Sequence, residues 1–216
     1  MPAVNATATA GPRRRADASR NRERILDAAR EAILEDGPDV PLDTIAQRAG
    51  VGNATVYRHF TDRKALLREL MLYSMTRITD AAEAALADRS DAFEVLRGFV
   101  HTAADERVGA LCGMLSEDFD ARQSDVIAAR DRLTHAVQAL MDRARESGQL
   151  RPDVAIGDLM VAVTQLGRPL PGSECAHFKR YARRHLQVFV DGLRNPARST
   201  LPGDPITMEE LERRTT

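Results

Sequence analysis

The sequence contains two short amphipathic segments that are separated by a short turn beginning at Gly50. Before this glycine, apolar residues recur at helical spacing from Leu42 to Ala49, and after it Val56 and Phe60 share one face of a second helix. Glycine reaches the left-handed backbone conformation that a tight turn between two helices needs. The pattern therefore predicts a helix-turn-helix, a unit of two short helices that cross at a steep angle.

A small shared core is expected to hold these two helices together. Ala46 leaves room for the second helix to cross closely, and Val51 fills the space between the helices. A longer helical pattern precedes the pair, beginning at Ser19 and ending before Gly37. The residues expected to form the core are Ile25, Ile45, Val56 and Phe60.

The outward face of the second helix carries several kinds of polar group. Within seven residues it presents an amide, a hydroxyl, a phenol, a guanidinium and an imidazole, from Asn53, Thr55, Tyr57, Arg58 and His59. In a major groove, Asn and Arg pair with base edges, while Thr, Tyr and His hold phosphate. The alternative is a solvated face on a helical hairpin, but ordinary surface helices favour Glu and Lys over these residues.

A longer run of the sequence resembles the signature of the tetracycline-repressor (TetR) family. The run reads IAQRAGV at 45–51, TVYRHF at 55–60 and RKALL at 63–67. The resemblance implies an all-α fold of about nine helices: an N-terminal three-helix, homeodomain-like helix-turn-helix domain and a C-terminal helical regulatory and dimerisation domain. It also implies a homodimer that binds a palindromic operator in double-stranded DNA.

The resemblance further implies which positions contact DNA. In this family the positions matching Thr55, Tyr57 and His59 bind the phosphate backbone, and the position matching Arg63 approaches phosphate from the start of the next helix. The complete predicted DNA-binding set is Thr44, Gly52, Asn53, Ala54, Thr55, Tyr57, Arg58, His59, Arg63 and Lys64.

Three positions depart from the family pattern. Pro41 stands where many members have Thr, Asp43 stands where some have a basic residue, and Gly52 contributes no side chain. The carboxylate of Asp43 is expected to repel phosphate. We therefore assign base reading mainly to Asn53 and Arg58.

Four regions are predicted along the chain. They are a disordered arm at 1–18, the helix-turn-helix domain at 19–66, a ligand-binding and dimerisation domain at 67–195 and a flexible tail at 196–216. Six arginines cluster between residues 13 and 24, either as a solvated arm or as one that seeks phosphate. The formal net charge of −1 gives no overall field that attracts nucleic acid.

The C-terminal half is expected to contain a ligand pocket and a dimer interface. Met and aromatic side chains suit a largely apolar small-molecule effector, although each residue is also consistent with plain core. The predicted pocket consists of Phe93, Phe99, His101, Cys112, Met114, Leu115, Phe119, Met141, Met160 and Gln165. The family resemblance implies that the last two long helices pair across a two-fold axis. The predicted interface consists of Leu159, Val163, Phe178, Tyr181, His185, Phe189 and Leu193.

Several functional classes find no support in the sequence. There is no GxSxG, GxGxxG, P-loop, HExxH or Cys/His metal spacing, so neither catalytic residues nor a metal or cofactor is predicted. No stretch approaches the roughly 18 apolar residues of a membrane span, and no signal peptide is recognised, so a cytoplasmic location is expected. The leading hypothesis is a repressor that a small effector releases from its operator. The alternatives are a DNA-binding protein of the same fold that a protein partner controls and, more remotely, an enzyme without a recognisable motif.

Overall fold

The structure is a computed structural model that describes residues 12–37, 39–106, 123–166 and 175–212. The chain forms two compact units, Met1–Leu66 and Leu67–Thr216. The described residues contain helices and no β-strand, which confirms the predicted all-α class. The nine helices of these ranges are α1 (Pro12–Asp36), α2 (Leu42–Ala49), α3 (Asn53–His59), α4 (Arg63–Ala87), α5 (Ala92–Asp105), α6 (Ser124–Glu146), α7 (Ile156–Leu166), α8 (Cys175–Gly192) and α9 (Met208–Glu212).

The first unit is built on α1, which packs against α2. The four residues predicted to form the shared core are all at most 2% exposed, so that prediction is confirmed. The first helix begins at Pro12, seven residues before the predicted start at Ser19. Residues 12–18, which were expected to belong to a disordered arm, are therefore helical. Proline suits a first helical turn because the turn leaves its N–H groups without helical partners.

The turn between α2 and α3 has the predicted left-handed glycine. Gly50 has φ 64° and ψ 37°, and the N–H of Val51 donates to the carbonyl of Ala46 at 3.0 Å. The guanidinium of Arg24 donates to the carbonyl of Ala49 at 2.7 Å. Arg24, on α1, thus satisfies one of the carbonyls that the end of α2 leaves free.

The second unit has one continuous core formed by α4, α5, α6, α7 and α8. Its α5 begins with a side-chain N-cap, since the Asp91 carboxylate accepts the N–H of Glu94 at 2.9 Å. Phe93, Leu96 and Met141 are at most 1% exposed within this core. None of the helices in the described ranges has both the length and the apolar character needed to cross a membrane.

Residues 199–212, which we call the C-terminal strap, pack onto the second unit. The carbonyl of Ile206 accepts the N–H of Gly157 at 2.8 Å, and the carbonyl of Ser199 accepts from the guanidinium of Arg151 at 2.8 Å. The strap ends in α9, which lies against α7. The prediction of a flexible tail over 196–216 is therefore wrong for the strap. Its backbone polar groups find partners on residues about 50 positions earlier in the chain.

Candidate DNA-binding surface

The helix α3 has one buried face and one exposed face. Val56 and Phe60, which follow each other by one helical turn, are 1% and 2% exposed. The polar residues Asn53 and Arg58 are exposed, and Tyr57 is 53% exposed. The apolar side fixes the helix to its unit, so the polar side is presented outward.

His59 and Arg22 lie beside the buried ring of Phe60. The ring centroids of His59 and Phe60 are 6.2 Å apart, and the guanidinium carbon of Arg22 lies 5.2 Å from the Phe60 centroid. Burial lowers the pKa of the His59 imidazole, and the positive charges of Arg22 and Arg58 lower it further. Since an ordinary histidine already loses its proton near pH 6.5, His59 is neutral at physiological pH.

Asn53 is bonded to the residue that was expected to repel DNA. Its side-chain Nδ2 donates to Oδ1 of Asp43 at 2.7 Å, and both residues are exposed. The bond joins the first turn of α2 to the first residue of α3. Asp43 is therefore a partner of a predicted base-reading residue, in addition to carrying negative charge.

Two arginines of the first unit bind groups within that unit. Arg63 donates to the carbonyl of Val40 at 2.7 Å and is half-buried, so the structure directs it toward the loop before α2. One guanidinium nitrogen of Arg63 is thus occupied by a backbone carbonyl, and its approach to phosphate stays a prediction. Arg48 bonds the carboxylates of Glu35 and Asp36, each at 2.6 Å, and thereby ties the end of α2 to the end of α1.

The remaining predicted DNA-binding residues fall into two groups. Thr44 and Thr55 are half-buried, whereas Gly52, Ala54 and Lys64 are exposed. Gly52 precedes α3 in an extended conformation, and its carbonyl accepts the N–H of Thr55 at 2.8 Å. The predicted set thus lies mainly on α3 and at the residues beside it in the chain, and Arg63 bonds the carbonyl of Val40.

The predicted pocket residues occupy different environments. Phe93, Phe99 and Met141 are buried in the core of the second unit, and Met160 packs against this core. The Nε2 of His101 lies 3.1 Å from Oε1 of Gln187. Gln165 is exposed. The other four predicted residues lie outside the described residues: Cys112, Met114, Leu115 and Phe119.

The predicted interface residues also separate by exposure. Leu159 and Leu193 are 2% and 5% exposed within one protomer, so they are core residues and the prediction of an interface role for them is wrong. Val163 and Phe189 are half-buried against the same core, and the side chain of Phe178 lies outside the described residues.

An exposed stripe runs along α8. Tyr181 is 52% exposed, His185 is exposed, and Val188, which the sequence analysis did not select, is 68% exposed. Their spacing of four and three residues places them on one face of the helix. The unusual exposure of Val188 emerges only from the fold, since its apolar side chain resembles that of a core residue in the sequence.

Sequence comparisons identify families for both units. A family model described as "Bacterial regulatory proteins, tetR family" matches residues 25–70. A second, described as "Transcriptional regulator SbtR-like, C-terminal domain", matches residues 87–195, which is half of the chain. The two matches together include α2, α3 and most of the second unit.

Individual relatives and solved structures agree with these matches. A TetR transcriptional regulator of Streptomyces coelicolor has a similar structure, with a TM-score of 0.63 and 29% identity, over 82% of this chain and 99% of that one. An uncharacterised HTH-type transcriptional regulator of Mycobacterium tuberculosis is 30% identical over 129 residues. This match covers 57% of the present chain and 54% of the length of that relative. The HTH-type transcriptional repressor LfrR of Mycolicibacterium smegmatis is 42% identical over 72 residues, which are 33% of this chain and 35% of LfrR.

The geometry of α3 and the two family matches lead to the same conclusion. Regulators of this kind are transcription factors rather than enzymes, as the sequence predicted. The chain belongs to the TetR family of DNA-binding bacterial transcriptional regulators.

Proposed function

We propose that this regulator is a repressor: a homodimer binds a palindromic DNA operator through two copies of α3, and a small, largely apolar effector releases it. The observation that carries the proposal is the division of α3 between a buried apolar face and an exposed polar face. A recognition helix needs both faces, since one anchors it to the protein while the other enters the major groove.

The side chains of α3 have separate roles in this proposal. Arg58 is exposed and has no hydrogen-bond partner among the described residues, so its guanidinium is available to pair with O6 and N7 of a guanine. Tyr57 and His59 bind phosphate through a hydroxyl and an imidazole N–H, with Thr44, Thr55 and Lys64 around them. Phosphate contacts position the protein on the duplex, whereas Arg58 supplies sequence preference.

The exposed stripe of α8 supports a homodimer. Tyr181, His185 and Val188 lie on one face of this helix, and Val161 on α7 is 38% exposed. Removing apolar side chains such as Val188 from water favours association. A two-fold dimer would present its two recognition helices about one DNA turn, roughly 34 Å, apart or a multiple of it.

Repression and its relief by an effector have separate support. The similarity to LfrR, which is described as a repressor, favours repression. The core of the second unit contains Phe93, Phe99 and Met141, which are suitable neighbours for an apolar molecule. Such an effector acts only through a difference in its affinity for the DNA-bound and free conformations.

In-vitro selection of DNA sites by the purified protein tests the proposal. We expect an inverted repeat whose half-sites are about 10 base pairs apart, or a multiple of that spacing. Equal binding of all duplexes at physiological salt would falsify sequence-specific recognition. With the selected operator available, a compound that raises the melting temperature and releases DNA identifies the effector class. Recovery of a single unrepeated site contradicts the dimer.

A further inference from the structure

The bond between Asn53 and Asp43 fixes the orientation of an amide on the recognition helix. The two atoms, Nδ2 and Oδ1, are 2.7 Å apart. A carboxylate has only acceptor oxygens, so the amide must turn its NH₂ group, and not its carbonyl, toward Asp43. The carbonyl oxygen of Asn53 is thereby left without a bond to Asp43.

We propose that Asp43 is a positioning residue for base recognition: it holds the Asn53 amide so that the free amide edge reads an adenine. This inference rests on the proposed binding of α3 in the major groove. It assigns Asp43 a role in specificity, where the family pattern suggested only an unfavourable charge.

The free edge of the amide has the hydrogen-bonding pattern that adenine requires. An amide nitrogen carries two hydrogens, and the bond to Asp43 uses one of them. The second hydrogen and the carbonyl oxygen remain as a donor and an acceptor side by side. In the major groove, adenine offers N7 as acceptor and its N6 amino group as donor, and Asn pairs with both. Asn53 is the first residue of α3, the end of a recognition helix that contacts base edges.

The bond also lowers the cost of recognition. A side chain that is already held in its binding orientation loses less conformational freedom when DNA arrives. Neither residue is buried, so this orientation depends on the hydrogen bond and not on packing. Removing the acceptor therefore frees the amide to rotate while leaving the fold of the unit intact.

The charge of Asp43 contributes to specificity in a second way. A carboxylate close to the duplex opposes phosphate and weakens binding to every sequence. The bond that it makes with Asn53 strengthens binding only where the correct base is present. Together these effects increase the ratio of specific to non-specific affinity.

Three variants separate positioning from charge. Asp43→Ala removes both the acceptor and the charge, whereas Asp43→Asn removes the charge but keeps an acceptor oxygen. Asp39→Ala is the matched control, because it removes a carboxylate from an exposed position shortly before α2 without touching Asn53. Each protein is measured on the selected operator, on the operator with the adenine exchanged in both half-sites, and on random duplex.

The inference predicts a distinct result for each variant. In Asp43→Ala the discrimination between adenine and its replacement falls by up to about tenfold, since ordering a freely rotating side chain on binding costs a factor of that size. Asp43→Asn keeps the discrimination and binds all duplexes more tightly. Asp39→Ala keeps the discrimination of the wild type. In an Asn53→Ala background, Asp43→Ala has no further effect on discrimination.

Other outcomes overturn the inference and separate it from the proposed function. If the wild type selects an inverted repeat and Asp43→Ala discriminates equally well, Asp43 acts only through its charge and the positioning role is wrong. If Asp43→Ala still lowers discrimination when Asn53 is absent, the effect does not pass through Asn53. If the wild type selects no site at all, the proposed function fails and this inference fails with it. Thermal unfolding of each variant checks that the fold is unchanged.

Discussion

The helix-turn-helix and the C-terminal strap differ in where their polar groups point. On α3, Asn53 and Arg58 face outward, where a partner molecule can reach them. In the strap, the carbonyls of Ser199 and Ile206 face inward and accept bonds from the second unit. Both segments are rich in polar residues in the sequence. The difference shows that polarity alone does not reveal whether a segment binds another molecule or its own chain.

Each of the two regions also depends on a glycine, for a different physical reason. Gly50 has a positive φ of 64°, which a residue with a side chain adopts only under strain. Gly157 lies so close to the strap that a Cβ there would be 2.3 Å from the carbonyl oxygen of Ile206. One glycine permits a turn, and the other permits the close approach of a distant segment.

The largest effect is expected from Gly157→Ala. The added Cβ would meet backbone atoms of Ile206, which cannot move aside as the end of a flexible side chain can. Displacing the strap should lower the free energy of unfolding by about 3 kcal/mol, the upper part of the usual range for overpacking. Urea unfolding measures this loss. DNA binding per folded molecule should be unchanged, because the substitution lies outside the first unit.

Gly98→Ala is the matched control in the same unit. Gly98 lies inside α5, and a Cβ there would have no atom within 4 Å apart from its own helix. This variant should be about 0.5–1 kcal/mol more stable than the wild type, because alanine favours a helix over glycine. If Gly157→Ala behaved like Gly98→Ala, the strap would not be packed against α7.

Arg58→Ala tests the helix-turn-helix, whose polar groups face outward. The guanidinium is exposed, so its loss should leave the stability unchanged but reduce discrimination at one operator base pair by roughly 1–3 kcal/mol. Tyr57→Phe should instead weaken all duplexes about equally, through lost phosphate contact. Competition binding with operator variants measures both. A sequence preference that survives Arg58→Ala rules out the proposed base contact.

A smaller loss of stability is expected from Gly50→Ala. Forcing alanine into the left-handed region costs roughly 1–2 kcal/mol, and the new Cβ would be 2.9 Å from the end of the flexible Arg24 side chain. Urea unfolding of the purified variant measures this loss in the free energy of unfolding. Gly52→Ala is its control, since Gly52 has φ −75° and open space where a Cβ would lie. Equal losses in the two variants would show that backbone conformation is not the cause.

The smallest effect is expected from Asp153, whose carboxylate pairs with the arginine that binds the strap. Hydrogen bonding from Arg151 lowers the pKa of Asp153 to about 2, and the same guanidinium binds Ser199 of the strap. An unfolded aspartate has a pKa of about 3.9. The stabilisation is therefore complete above the unfolded pKa and is lost as the pH falls through about 2. Asp153→Asn should be less stable at pH 7 and lack this acid-dependent loss in urea titrations. A wild type whose stability is constant between these two pKa values contradicts the assignment.

The sequence predicts the helix-turn-helix well because its determinants are local. Gly50 and the apolar spacing of Ile45, Val56 and Phe60 lie within 16 residues, and the fold places them as expected. Family resemblance adds the predicted positions of DNA contact to this local pattern.

The errors arise where a partner is distant in the chain. The fold gives Arg63 a partner that its own sequence neighbourhood does not reveal, the carbonyl of Val40, 23 residues earlier. The strap was interpreted as flexible because its own sequence lacks an apolar pattern, whereas Arg151 and Gly157 supply its partners. Leu159 was assigned to an interface although its apolar side chain serves equally in the protomer core. In each case the residue type was consistent with two environments, and only the tertiary contacts distinguish them.

The lowered pKa of His59 has a consequence for how DNA binding responds to ionic strength. Lysine and arginine that neutralise phosphates release condensed counterions, which makes affinity fall steeply as salt rises. In the proposed complex, a neutral imidazole held beside Phe60 would release no counterion on donating to phosphate. The contribution of His59 to the binding free energy should therefore persist in concentrated salt. The slope of log affinity against log salt concentration should not include this contact.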